Sequence, residues 1–176
     1  AISRAWREER DQLIHSAEKI TTHLISRRQV AEEPSQPLPS VEFSNTIHQL
    51  ERAYDPQYGG WGSAPKFPAP MTIDLLLALS EGELPQALTM AVQTLRSMQR
   101  GGIFDLVNGG FHRYSTDEQW RVPHFEKMLY DNAQLASVYL HAYLVTGIDS
   151  FRSTTQKTLD FILRELTHPD GGFYAS

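Results

Sequence analysis

Between Gly109 and Asn132 the chain sets two histidines (His112, His124), two arginines (Arg113, Arg121), one lysine (Lys127) and four carboxylates (Asp117, Glu118, Glu126, Asp131) among several aromatics. A histidine moves protons near neutral pH, and a carboxylate beside it can orient the ring. Arginine and lysine hold oxyanions or hydroxyl oxygens. Aromatic side chains offer flat apolar faces to a ring-shaped ligand. The candidate catalytic residues are therefore His112 or His124 as acid/base, with Glu126 or Asp131 orienting it. Arg113 and Lys127 are candidates to hold substrate oxygens, and Trp61, Tyr114 and Trp120 to pack on the ligand.

Other chemistries fit less well. His112 and His124 do not form a His-Glu-x-x-His helix, and no third ligand stands at a spacing suited to catalytic zinc, so no metal is expected. Gly59-Gly60-Trp61-Gly62 opens into prolines rather than into the Lys-Ser/Thr helix start of a phosphate loop. No Gly-x-Ser-x-Gly elbow is present. The 176 residues contain no cysteine, which removes disulfides and thiol chemistry from this stretch, and no cofactor is expected. Sixteen basic against 21 acidic residues leave a net charge of −5, unsuited to binding nucleic acid. No apolar run approaches the roughly 20 residues needed to span a bilayer. A soluble, cytoplasmic protein is expected.

Helices must position these groups. Leu13, Ala17, Ile20 and Leu24 mark one stripe of a helix over Trp6 to about Val30. Residues 1–32 are read as an amphipathic packing helix, which a family resemblance carried by later motifs makes a junction helix, and the proline-rich 33–40 as a linker. Residues 41–176 are read as one truncated helical domain. Its first helix opens with Ser40 as cap and runs through Phe43, Ile47, Leu50 and Tyr54. An ordered Gly/Pro loop spans Asp55–Pro70, and helices are expected over Met71–Ser80 and over Leu84–Arg100, the latter ended by Gly101 and Gly102 as glycine caps. A further helix from about His124 to Val145 would place His124, Lys127 and Asp131 on one face at roughly 100° per residue. Being apolar nearly all round beyond its first two turns, it reads as an interior helix whose polar N-terminal end lines a cavity. The last helix covers about Ser150–Leu166. The chain opens at Ala1 with no signal pattern and stops on a turn-type sequence, so a piece of a longer protein is expected.

Three Gly-Gly-aromatic cores recur: Tyr58-Gly59-Gly60-Trp61, Asn108-Gly109-Gly110-Phe111 and Asp170-Gly171-Gly172-Phe173. Intervals of 50 and 62 residues between them each hold two helices and their connections. That is an array of helix hairpins. In a closed ring of hairpins such loops gather at one end, where a cavity opens.

Tyr58-Gly59-Gly60-Trp61-Gly62-Ser63-Ala64-Pro65-Lys66-Phe67-Pro68, Gly109-Gly110-Phe111-His112-Arg113-Tyr114-Ser115 and the run from Trp120 through Val122-Pro123-His124-Phe125-Glu126-Lys127-Met128-Leu129-Tyr130-Asp131-Asn132-Ala133 resemble the thioredoxin-domain-containing family related to spermatogenesis-associated protein 20. The resemblance implies an all-α fold, helical hairpins forming the first half of an (α/α)6 toroid like that of six-hairpin glycosidases and N-acylglucosamine 2-epimerases. It implies two further partners in the whole protein, an N-terminal thioredoxin-like domain and the second half of the toroid. Lys66, Tyr130 and Asn132, within the shared blocks, join the candidate substrate-binding residues.

Two functions are expected from this reading. One is carbohydrate processing, as an epimerase, isomerase or glycosidase acting on a sugar or other small polar ligand. Most glycosidases need two facing acids, for which Asp105, Asp117 and Glu118 are further candidates. The other is a non-catalytic scaffold that helps the attached thioredoxin-like domain recognise proteins.

Overall fold

The computed structural model describes residues 6–29, 40–80 and 84–176. Among the described residues the helices run, in order, α1 (Arg10–Gln29), α2 (Ser40–Ala53), α3 (Pro70–Leu79), α4 (Pro85–Arg100), α5 (Leu129–Thr146) and α6 (Asp149–Glu165). Among the described residues β-structure is confined to isolated antiparallel bridges. Residues 1–39 and 40–176 form two separate units. In the first, α1 forms where its apolar spacing predicts a helix, with Ile20 and Leu24 each 61% exposed. The proline-rich linker falls almost wholly outside the described residues.

In the second unit, α3 packs against α4 and α5, and α5 against α6. Ile47 of α2, Ile73, Leu76 and Leu77 of α3, and Met90, Ala91, Leu95 and Met98 of α4 are buried in one core with Leu135, Val138, Tyr139 and Ala142 of α5. Proline opens both α3 and α4, where its missing N–H is not needed. Tyr139 is fully buried, donates its hydroxyl to the Leu95 carbonyl at 2.8 Å, and has its pKa pushed well up by burial.

Two helix ends differ from expectation. Gly101 follows α4 in an extended conformation (φ −83°), not the left-handed cap expected of it. The residue has to be small because a Cβ there would lie 2.4 Å from the Trp120 carbonyl oxygen. The second correction matters more: α5 starts at Leu129, five residues later than the pattern predicts. Residues 113–126 instead form an antiparallel hairpin, with Thr116 N–H bonded to Val122 O, His124 N–H to Tyr114 O and Arg113 N–H to Glu126 O. These long-range partners satisfy the backbone in extended form, and Met128 is still extended (φ −91°, ψ 140°) when the helix begins.

The three glycine turns share one backbone pattern. Asp55 N–H bonds to Gly60 O and Gly59 N–H to Asp55 O; Asp105, Gly109 and Gly110 repeat this, and the third turn, one residue shorter, pairs His168 with Gly172 and Gly171 with His168 in the same sense. Each turn is closed by a bridge: Tyr54 with Trp61, Phe104 with Phe111, Thr167 with Phe173. The aromatics anchor the first two: Trp61 lies 5.7 Å from Tyr54, and Phe111 stacks on Tyr139 at 5.3 Å.

Candidate functional site

The lysines of the candidate set tie the turns down. In the first, Asp55 Oδ1 accepts the N–H groups of Gln57 and Tyr58, while its other oxygen pairs with Lys66 Nζ at 2.5 Å. Lys66 also donates to the carbonyls of Gly59 (3.0 Å) and Glu118 (2.9 Å) and is fully buried. The second turn repeats the device: Asp105 Oδ1 accepts from Val107 and Asn108, and Lys127 Nζ donates to Asp105 Oδ2 and to Gly109 O, both at 2.8 Å. Burial alone would raise the Asp105 pKa, but the Asn108 N–H, Lys127 and the Val107 N–H more than offset it and hold the carboxyl well below its usual range. Asp55 is lowered in the same manner, against burial, by Lys66 and two backbone N–H groups.

Several sequence-predicted ligand contacts are thereby corrected. Lys66 has all three donors engaged inside the protein. Lys127 pairs with Asp105 rather than with Asp131, because the residues between them begin in extended form and not as a helical turn. Trp120 is fully buried and donates Nε1–H to Tyr58 O at 2.9 Å. Asn132, also fully buried, accepts the Phe111 N–H at 2.6 Å and donates to the carbonyls of Phe111 and Met128, stapling the second turn to α5. Trp61 is half-buried against Tyr54 and donates to Leu50 O. Lys66, Trp120 and Asn132 are fully enclosed, whereas Trp61 stays half-buried and Lys127 borders an open hollow of about 520 Å³ with Glu126 and Phe161. Asp117 is likewise committed, accepting the N–H groups of Gln119, Arg121 and Val122 at the hairpin tip.

The hairpin and the first turn of α5 bring the remaining candidates together. Arg113 pairs with Glu126 at 3.2 Å, and His124 Nδ1 stands 3.7 Å from the same carboxylate oxygen. Glu126, and more weakly Asp131, stabilise the guanidinium charge. Tyr114 stacks on His124 at 4.7 Å and lies 4.9 Å from Phe67, while His112 meets Phe125 edge-on at 5.2 Å. Phe67 and Phe125 are exposed, Phe125 to 80%.

Two buried side-chain atoms among the described residues have no hydrogen-bond partner: His112 Nδ1 and Asp131 Oδ2. Such atoms are destabilising unless something satisfies them. Burial, and then the nearby Lys127, lowers the His112 pKa against the opposing pull of Asp105, so the ring is neutral at pH 7. Burial raises the Asp131 pKa; Arg113 opposes and Glu126 reinforces the shift. His112 and Phe125 form one wall of an open groove of about 400 Å³, with Asp105, Leu106 and Arg100 around it. Among the described residues no three His, Asp or Glu side chains gather as metal ligands would.

Two groups had escaped the sequence reading. Asp55 was legible in principle, since Asp-x-x-x-Gly-Gly-aromatic occurs at both Asp55 and Asp105 with a lysine downstream. The Asp74–His141 pair (2.7 Å) joins α3 to α5; 67 residues separate its members, and no local pattern marks it.

No family profile matches the chain. Against curated proteins it is 39% identical over 180 residues to spermatogenesis-associated protein 20 of Rattus norvegicus, covering 97% of this chain and 23% of that protein. The protein of the same name from Homo sapiens is 39% identical over 184 residues, again across 23% of its length. This chain is a relative of spermatogenesis-associated protein 20. It spans about a quarter of the length of those relatives. Among solved structures it is similar to the cellobiose 2-epimerase of Bacillus thermoamylovorans (TM-score 0.65, 15% identity, 75% of this chain and 39% of that one). The cellobiose 2-epimerase of Spirochaeta thermophila is similar at TM-score 0.58 and 21% identity, over 81% of this chain and 41% of that one. At such identities the likeness establishes the fold, an all-α array of the six-hairpin toroid kind of which this chain supplies a part.

Proposed function

We propose that this chain contributes part of a carbohydrate-binding and carbohydrate-processing site in a cytoplasmic toroid protein, with epimerase- or isomerase-type proton transfer favoured over glycoside hydrolysis. The observation that carries the reading is the pair of unpartnered buried atoms, His112 Nδ1 and Asp131 Oδ2, attached to one aromatic-lined charged cluster. A neutral imidazole can take a proton from a carbon next to a sugar carbonyl and return it as the imidazolium, so the net proton count is unchanged. Arg113, held by Glu126, orients hydroxyl or carbonyl oxygens; Tyr114, His124 and Phe125 offer ring faces. The second half of the toroid and a thioredoxin-like domain belong to the whole protein in this reading. The solved structures that resemble the chain, sugar epimerases among them, lend it support through fold alone.

A thermal-shift screen of sugars on the whole protein tests it. At least one mono- or disaccharide should stabilise the protein, and His112→Ala and Asp131→Asn should each abolish that shift while leaving the fold intact. An unresponsive protein, or a shift that survives both substitutions, would overturn the reading and leave the scaffold role, in which the helical array serves an attached thioredoxin-like domain.

A further inference from the structure

A second hollow lies elsewhere in the second unit, a cleft of about 630 Å³ between α4 and the turn joining α5 to α6. That size suits a small-molecule ligand. Its walls combine Arg96 and Arg100 with Ser97 and Gln57, over the half-buried apolar side chains of Val92 and Ile148. None of its lining residues is acidic, although the chain as a whole carries −5.

Arg96 and Arg100 stand four residues apart on α4, so their side chains are neighbours on one helix face and repel each other. Among the described residues neither makes an ion pair or a hydrogen bond, in contrast to Lys66, Lys127, Arg113 and Arg164. The negative end of the helix dipole accounts for a cation at Arg100, in the last turn. It does not account for a second one a full turn earlier, facing the same cleft. The hydroxyl of Ser97 adds a donor between them, and the apolar floor would cover the carbon body of a ligand.

We infer that this cleft binds a small molecule bearing a phosphate or carboxylate group, gripped by the Arg96 and Arg100 guanidinium forks. Planar guanidinium groups match both oxyanions two bonds at a time. Arg100 also borders the groove at His112, whereas Arg96 lines this cleft and not that groove.

The test is calorimetric titration of the 176-residue chain with inorganic phosphate and, separately, with citrate, at constant ionic strength. Saturable binding of either anion is expected, phosphate alone marking a phosphoryl ligand and citrate alone a carboxylate one. The double variant R96Q/R100Q should lose at least about tenfold in affinity while keeping its helical circular dichroism, a loss in keeping with two charge-assisted contacts. The matched variant R52Q/R152Q, which removes two positive charges outside the cleft, should bind as the parent does. No saturable binding of either anion, or equal weakening by both double variants, would overturn the proposal.

Discussion

Lys127 looks from its sequence neighbours like a ligand-binding residue, and the structure turns it inward. Its ammonium group neutralises Asp105 and caps the Gly109 carbonyl beneath the candidate groove, with the two side chains only 14% and 21% exposed. Lys127→Met should therefore cost about 2–3 kcal/mol, the range for losing charged hydrogen bonds in a largely buried setting. Lys66→Met, which strands a carboxylate and two carbonyls around a fully buried ammonium, should cost more, about 3–5 kcal/mol. The pH dependence follows from the depressed pKa of Asp105. The folded state holds fewer protons than the unfolded one on this group. Its stabilising contribution is thus complete above the unfolded carboxyl pKa of about 3.9 and is lost as pH falls below that toward the folded value. Urea unfolding at pH 7 and pH 3 should show a smaller acid loss in Lys127→Met than in the parent, because the two backbone N–H groups alone remain to hold the anion. Equal losses would show that the backbone N–H groups alone hold the folded carboxyl ionised at pH 3.

The turns make the corresponding argument at the level of elements, because three copies of one backbone pattern sit in different surroundings. Gly109 has φ +77° and a Cβ there would fall 2.2 Å from the Lys157 carbonyl oxygen, whereas Gly171, at φ +92°, has open space around it. Gly171→Ala should lose only the backbone preference, about 1 kcal/mol, and Gly109→Ala about 3 kcal/mol or more, since α6 must shift to admit the methyl group. Chemical denaturation of the two variants measures the difference, and similar losses would mean that α6 yields easily. These turns were legible in the sequence because glycine pairs followed by an aromatic are local signals, as was the helix expected over Leu84–Arg100, which α4 matches to within a residue. The start of α5 was not. The stretch His124–Met128 carries a good helical pattern, and what keeps it extended is backbone pairing with Arg113 and Tyr114, ten or more residues back. The candidate site was legible as a set of residues and illegible as a geometry for that reason: the helix face meant to join His124, Lys127 and Asp131 does not exist. Cross-strand pairing joins His124 to Tyr114 and Arg113 to Glu126 instead.

At the scale of the whole chain the question is what the outward helix faces meet. On α5, Leu140 is 44% and Leu144 72% exposed, four residues apart on one stripe that also holds the exposed Tyr130; on α6, Leu159 is 45% and Leu163 65% exposed with the same spacing. Phe173 and Tyr174 add further exposed aromatic surface. Two leucine stripes on neighbouring helices, each as regular as a buried face, are more than the scattered apolar residues usual on a protein surface. The relatives are some four times the length of this chain, and the solved toroids it resembles are about twice its length, which leaves ample further chain to cover such faces there. Where nothing covers them, burial of one leucine side chain is worth about 1.5–3 kcal/mol, so pairing of two such stripes is favourable despite the entropy of association. The 176-residue chain studied alone should therefore self-associate as its concentration rises. Leu144→Lys with Leu163→Lys should shift it toward the monomer without loss of helical circular dichroism, because both positions lie outside the core. Light scattering across a concentration series measures this, and a parent chain that stays monomeric throughout would show that the stripes are too dispersed to act as a surface.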